Sequence, residues 1–362
     1  MPNVLIAPLD WGLGHATRMI PVIRVLQTAG CRVIIASEGQ QQNLLQQEFP
    51  EIPILALKGY RISYPANKRW FTFKILSQLP KILKSIRREH SWLEEKIQSE
   101  KIQMVISDNR YGMWSHKVPC IFITHQLWIR APFPGIGRLL QLVNYTRIRH
   151  FTQCWVPDYP GEPNLAGILS HPRVMPAIPV RYLGALSRLS RRENLPKTYR
   201  WLILISGPEP QRTILEKKLL ALVPGLEGEI LFVRGKPGNT ELLPGPANCR
   251  IVNHLGAAEL EDAFSCSEFV LSRSGYTTVM EILQLKKKSI LIPTPGQSEQ
   301  EYLAKHLMQQ QWCYCFDQDA ENYLQHLEKA TKFEYKYPCF APVSLKDILM
   351  DFLNQNQLTT VS

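Results

Sequence analysis

Short apolar, β-branched runs alternate with helical patterns along the whole chain, and this alternation most narrows the folds open to it. Strand-like runs fall near 3–8, 32–37, 52–57, 102–107, 119–124 and 153–156, with helical segments between them starting near Ala16. After residue 185 the rhythm restarts, with runs near 201–206, 229–234, 250–253, 268–272, 288–293 and 312–316. Alternation of this kind builds parallel sheets covered by helices on both faces, because parallel neighbours need a long crossover between them. Two such series predict two doubly wound, Rossmann-like α/β domains, 1–185 and 186–362, and a chain of 362 residues is longer than one core usually serves. The polar, basic stretch Ser187–Arg200 (SRLSRRENLPKTYR) is the predicted linker. Open parallel sheets bind ligands at the carboxyl ends of their strands, so the loops after the strands are where chemistry is expected.

Composition excludes several classes. A hydrophobic content of 45% with 20% charged residues is that of a folded globular chain. No run approaches the roughly 20 apolar residues of a spanning helix, and the N-terminus reads as a strand without a leader. The cysteines at 31, 120, 154, 249, 266, 313, 315 and 339 form no zinc or disulfide framework, which fits a reducing cytoplasm. Charge is uneven: residues 1–185 carry 22 Lys+Arg against 11 Asp+Glu, whereas the remainder balances at 20 against 20. The net +11 therefore sits in the N-terminal half, which predicts an anionic partner there.

The C-terminal half carries the clearest motif. A strand ending in Ser272 runs into Arg273-Ser274-Gly275 and then a helix bearing Thr277, Thr278 and Glu281. Gly275 permits close backbone approach, the threonines can donate to phosphate, and the helix N-terminus favours negative charge. A carboxylate at Glu281 can accept both hydroxyls of a ribose, for which a phosphate-only site has no use. The loop after the next strand supplies Gln297, Gln300 and Glu301, able to bind sugar hydroxyls.

Together, Arg273-Ser-Gly, Glu281, the Pro-rich loop and Gln300-Glu301-Tyr302 resemble the donor signature of glycosyltransferase family 28. That family includes an N-acetylglucosaminyltransferase acting on the lipid-linked peptidoglycan precursor. The resemblance implies a GT-B fold, two Rossmann-like domains facing across a cleft, with a UDP-sugar in the C-terminal one. It implies that Glu281 holds the ribose and that Gln300 contacts sugar and diphosphate. Glu301 stands where the family enzyme has a second glutamine, which leaves the donor sugar open between N-acetylglucosamine and a related hexose. Pro179-Val180-Arg181 resembles the segment whose arginine approaches the diphosphate, and Ser206-Gly207 through Arg212 takes the place of the family's Gly-Ser-rich turn. Transfer with inversion, without a metal or resident cofactor, is also implied.

The first strand ends in Asp10-Trp-Gly-Leu-Gly14-His15-Ala-Thr-Arg18. This is not a nucleotide fingerprint, since a histidine takes the place of the third glycine. It resembles the first loop of family 28 and of related two-domain transferases. Glycosyl transfer needs a base near neutrality to take the acceptor hydroxyl's proton, a role suited to His15. Asp108, at the end of a later strand, is the expected partner holding the far ring nitrogen. Arg18 and His125 are expected on the acceptor side. Asp317-Gln-Asp319 has the spacing of a diphosphate–metal motif, but its place between a strand and a helix suits a cap, and no metal site is expected.

Two basic amphipathic stretches, Lys68–Leu93 and Leu127–Phe151, point to a peripheral role on an anionic membrane surface, in keeping with a lipid-linked hydroxyl acceptor. The first places Phe71, Ile75, Leu79, Ile82 and Ile86 on one face. Alternatives stay open at this level: a non-hydrolysing UDP-sugar epimerase, a catalytically silent subunit, or a nucleotide- or nucleic-acid-binding protein. No RNA- or DNA-binding motif favours the last.

Overall fold

The computed structural model describes residues 1–61, 77–130, 134–190, 192, 195–241 and 243–358. Phe71 and Ile75 of the expected apolar face lie outside these, as does Lys74 of the opposite basic face. The described residues form two compact units, one from 1–61, 77–186 and 340–358, the other from 187–339.

The first unit contains strands β1 (Asn3–Pro8), β2 (Arg32–Ser37), β3 (Ile54–Ala56), β4 (Met104–Asp108), β5 (Cys120–Ile123), β6 (Gln153–Val156) and β7 (Val180–Tyr182). Helices α1 (Leu13–Thr28), α2 (Gly39–Glu48), α3 (Leu79–Ser99) and α4 (Pro134–Ile148) link them. The sheet order is β3-β2-β1-β4-β5-β6-β7, every pair parallel. Strands covered on both faces must be apolar throughout rather than alternating, and Val4, Leu5, Ile6 and Ala7 of β1 are accordingly fully buried. The three-residue edge strand β7 has no counterpart among the sequence-predicted strands, being too short to show a period.

The second unit contains β8 (Tyr199–Leu204), α5 (Gln211–Leu222), β9 (Ile230–Val233), β10 (Cys249–Val252), α6 (Ala257–Cys266), β11 (Ser267–Ser272), α7 (Tyr276–Gln284), β12 (Lys288–Leu291), α8 (Ser298–Gln309), β13 (Tyr314–Cys315) and α9 (Tyr323–Thr331). Its order is β10-β9-β8-β11-β12-β13, again parallel. Trp201, Phe232, Phe269, Leu271 and Ile290 fill its core.

Both sheets reverse strand order at one place, between β1 and β4 in the first and between β8 and β11 in the second. Loops leaving neighbouring strands diverge there, which opens a crevice at the strand ends. His15 follows β1 and Asp108 ends β4; Ser206 and Gly207 follow β8, and Arg273 to Gly275 follow β11.

The last helix departs from the expected boundary of 186–362. Helix α10 (Leu345–Gln355), capped by Ser344 Oγ accepting from Asp347 N, belongs with the first unit. Leu349, Phe352 and Leu353 make its buried stripe, and Phe352 meets Trp155 edge-on at 5.7 Å. A stripe at i, i+3 and i+4 says that a helix docks, not on which sheet. Phe352→Ala should lower the stability of the first unit by about 3–5 kcal/mol in urea denaturation, leaving the transition of the second unit in place.

Candidate active site

In the first unit the site begins with Gly12, which caps α1 at φ 83, a conformation open to glycine and strained for other residues. The turn brings His15 onto the first turn of α1, and Gly14, one residue earlier, accepts from Thr17 Oγ1 at 3.0 Å. Pairing of Pro8 with Asp108 in the β1–β4 register puts the carboxylate beside that turn. His15 Nδ1 and Asp108 Oδ2 lie 2.8 Å apart. In the tautomer with Nδ1–H donating to the carboxylate, the lone pair is left on Nε2, the arrangement of a general base.

Arg18 grips the same carboxylate. Its Nε donates to Asp108 Oδ2 at 2.9 Å and its Nη2 to Oδ1, a bidentate pair. Nη2 also lies 2.8 Å from His15 Nδ1, and Nη1 lies 3.5 Å from His125 Nδ1. This corrects the acceptor-side expectation for two residues: Arg18 and His125 are 2% and 4% exposed, so both brace the dyad from within. Spacing of His15 and Arg18 at i and i+3 is the sequence signal for their meeting. Burial, then the Arg18 charge, lower the His15 pKa against the opposing pull of Asp108. Burial raises the Asp108 carboxyl, but Arg18 and His15 outweigh it and hold the group below its usual range.

A second buried network, missed in the sequence, supports the loop after β1. Arg110 donates to Pro8 O at 2.8 Å and to Glu89 Oε1 at 2.8 Å, and Tyr60 Oη donates to Glu89 Oε2 at 2.9 Å. Burial raises the Glu89 pKa to about 7, with Arg110 and Tyr60 opposing. Asp10 accepts from the backbone N–H of Tyr60 and Arg61, both at 2.9 Å. Glu89 is the one acid in a basic stretch, and only the tertiary fold shows that it points inward.

In the second unit, Gly207 takes φ 108 after β8 and a side chain there would come near Thr294 Oγ1, so the loops after β8 and β12 are neighbours. Ser206 precedes it. A side chain at Gly275, the cap of α7, would meet open space, and Thr277 and Thr278 follow, half-buried, in the helix's first turn. Glu281 lies further along the same helix, 4% exposed, and burial raises its pKa. Ser274 Oγ donates to Gln300 O at 2.9 Å. Gln300 Oε1 accepts from Thr294 N at 2.9 Å while its Nε2 donates to Gln297 Oε1 at 2.6 Å, and Glu301 Oε1 accepts from Gly296 N at 2.8 Å. The expected sugar-binding groups thus lie together and also shape their own loop.

Two arginines expected among the donor-binding residues, Arg273 and Arg212, are instead committed to the protein. Arg273 is 1% exposed and donates to Ile292 O (3.4 Å), Pro293 O (3.1 Å), Gln211 O (2.8 Å) and Gln318 Oε1 (2.5 Å). It ties together the loops after β11, β12 and β13 and the start of α5, and burial lowers its pKa to about 10. Arg212 is likewise buried, donating to Glu209 (2.6 Å), Glu216 (3.1 Å) and Arg234 O (3.0 Å). Arg181 lies exposed on β7 of the first unit. Asp317 and Asp319 follow β13, and no cluster of three or more metal-ligating side chains occurs among the described residues.

Residues 257–340 match the glycosyltransferase family 28 C-terminal domain. That span holds the β11–α7 turn, Glu281 and the Gln300 loop. The chain is a glycosyltransferase whose C-terminal half is similar to family 28. It is 27% identical over 121 residues to a UDP-N-acetylglucosamine--N-acetylmuramyl-(pentapeptide) pyrophosphoryl-undecaprenol N-acetylglucosamine transferase of Natranaerobius thermophilus, covering 30% of this chain and 33% of that protein. It is 24% identical over 307 residues to the enzyme of that name from Clostridium botulinum strain Langeland, covering 79% of this chain and 77% of the relative. Among solved structures, Acinetobacter baumannii MurG superposes with TM-score 0.56 at 16% identity, over 92% of this chain and 90% of that one. The kitacinnamycin glycosyltransferase gives TM-score 0.64 at 12% identity, over 99% and 96%. At such identities these structures establish the fold, GT-B.

Two outcomes follow from the buried arginines. By NMR, the His15 imidazole should titrate below the ordinary histidine range, and Arg18→Met should move its pKa upward. Arg273→Met, which leaves Gln318 and three carbonyls without their donor, should cost about 3 kcal/mol of second-unit stability in chemical denaturation.

Proposed function

We propose that this family 28-like glycosyltransferase moves a sugar, N-acetylglucosamine or a related hexose, from UDP to a hydroxyl of a lipid-linked acceptor. The single observation that carries the reading is the pairing of His15 Nδ1 with the buried Asp108 at the end of the neighbouring strand. This leaves Nε2 as the base. In the proposed step Nε2 takes the acceptor hydroxyl's proton as the oxygen bonds to the anomeric carbon, and the bond to UDP breaks on the opposite face, with inversion. Asp108 then supports the imidazolium. Its carboxylate stays ionised because Arg18 holds it.

The donor would rest on the second unit, its diphosphate at the N-terminus of α7 and its ribose on Glu281. UDP-sugar is a co-substrate in this scheme, and no resident cofactor or metal takes part. Support for UDP and for an N-acetylhexosamine comes from the relatives' names and from the family 28 match. Glu301, tied to Gly296 N, is the place where sugar choice would depart from theirs.

A membrane-facing acceptor is supported by an apolar patch on the first unit. Leu139, Leu142 and Val143 on α4 are 60%, 64% and 49% exposed. Val174, 65% exposed, is held beside that helix by Tyr145 Oη donating to its carbonyl at 2.5 Å. Arg138, Arg147 and Arg149 lie on or just after α4, and Arg173 precedes Val174. Basic rims around apolar residues suit an anionic headgroup layer, on the inner face of a cell membrane in this reading. No helix among the described residues is long and apolar enough to cross a membrane.

Isothermal titration should show binding of UDP in preference to GDP and TDP, lost in Glu281→Ala; absence of nucleotide binding would remove the reading. With a UDP-sugar and acceptor in hand, His15→Ala should lower kcat by about 100- to 10,000-fold with little change in donor KM. Leu139→Asp combined with Leu142→Asp should reduce co-sedimentation with anionic vesicles on the order of tenfold, without loss of UDP binding.

A further inference from the structure

The segment joining the two units is more than a tether. Its Arg188 side chain is only 8% exposed, and its Nε lies 3.5 Å from Glu281 Oε1, itself on a carboxylate 6% exposed. Described residues that follow Arg188 are fastened to helix α6, which precedes β11. Leu189 is buried, Ser190 N donates to Glu261 Oε1 at 2.5 Å, and Arg192 pairs with Glu261 at 2.9 Å and Asp262 at 2.6 Å. Lys197 Nζ donates to Ser265 O at 2.6 Å. An arginine drawn into a buried site this way loses hydration, and it is retained where the charge it meets must remain charged.

Resting on the donor-site reading above, we propose that Arg188 is a positioning residue for Glu281: paired from the linker, it keeps that carboxylate ionised and aimed to accept both ribose hydroxyls. A protonated carboxyl has one acceptor committed as a donor and cannot receive two hydroxyl groups equally. Burial works against the ionised form of Glu281, and Arg188 is the charge that opposes burial there. A further titratable group near the pair among the described residues is His254, in the loop after β10, whose pKa is lowered by burial and by Arg188 against the opposing pull of Glu259 of α6. With the His254 pKa lowered, Arg188 is the cation that acts on Glu281.

The sign of the test follows. Loss of Arg188 removes the charge that opposes burial, so Glu281 takes up a proton at higher pH and ribose binding weakens as pH falls. UDP affinity should be measured by isothermal titration between about pH 6 and pH 8 for wild type, Arg188→Gln, Arg188→Lys and Glu281→Ala. The ligand's own phosphate titration is common to all and cancels in the ratio to wild type. Relative to wild type, Arg188→Gln should lose about tenfold in affinity near pH 6 and recover most of it near pH 8, and Arg188→Lys should restore the wild-type profile. A loss of equal size at every pH, or none, would overturn the proposal while leaving the donor site intact. A pH response of Arg188→Gln that disappears when His254→Asn is added would assign the titration to His254 and also overturn it. Wild-type binding of UDP that Glu281→Ala does not weaken, or no binding at all, would overturn the donor-site reading and this proposal together.

Discussion

Parallel strand pairing is the constraint on which the rest depends. Each sheet satisfies its backbone N–H and C=O groups laterally, buries both faces under helices, and leaves free backbone polarity only at the strand ends. Chemistry is confined to those ends, and within them to the place where strand order reverses. In the first unit that place is β1 beside β4, with His15 and Asp108; in the second it is β8 beside β11, with Gly207 and Gly275. One architectural rule, applied twice, places the His15–Asp108 pair in one unit and the glycine-bearing loops of Gly207 and Gly275 in the other.

Buried guanidinium groups hold these ends in shape. Arg18 fixes Asp108, Arg110 joins the end of β1 at Pro8 O to Glu89, Arg212 joins Glu216 with the strand-end carbonyl of Arg234, and Arg273 gathers four acceptors from three segments. Arginine suits the task because its planar fork serves several acceptors at once and stays charged in a desolvated setting. Such a cluster gives the loops a defined geometry at a cost in desolvation, which a binding surface of low reorganisation requires. Basic residues in this chain therefore serve in part as internal braces.

The consequence for His15 is specific. Asp108 would alone raise the imidazole's affinity for a proton, yet Arg18 shares the carboxylate and burial disfavours the cation, so the net direction is downward. That direction favours the neutral imidazole. The buried position of Arg18 thus bears on the chemistry without the guanidinium facing the acceptor.

Periodicity, the glycine-rich turns and the ordered set of Gly275, Glu281 and Gln300 made the fold class and the nucleotide-type loop legible in the sequence, because strand burial and phosphate approach each demand residue types at fixed spacing. The meeting of His15 with Asp108 was also foreseeable, since both follow strands that a doubly wound sheet sets side by side. Arg273 and Arg212 were read as ligand contacts because a sequence records that a residue is cationic, not which way its long side chain turns. The destinations of Arg188 on Glu281 and of Phe352 on Trp155 were decided by tertiary structure alone. Local pattern specifies which elements form, but partners distant in sequence are chosen only when packing brings their surfaces together.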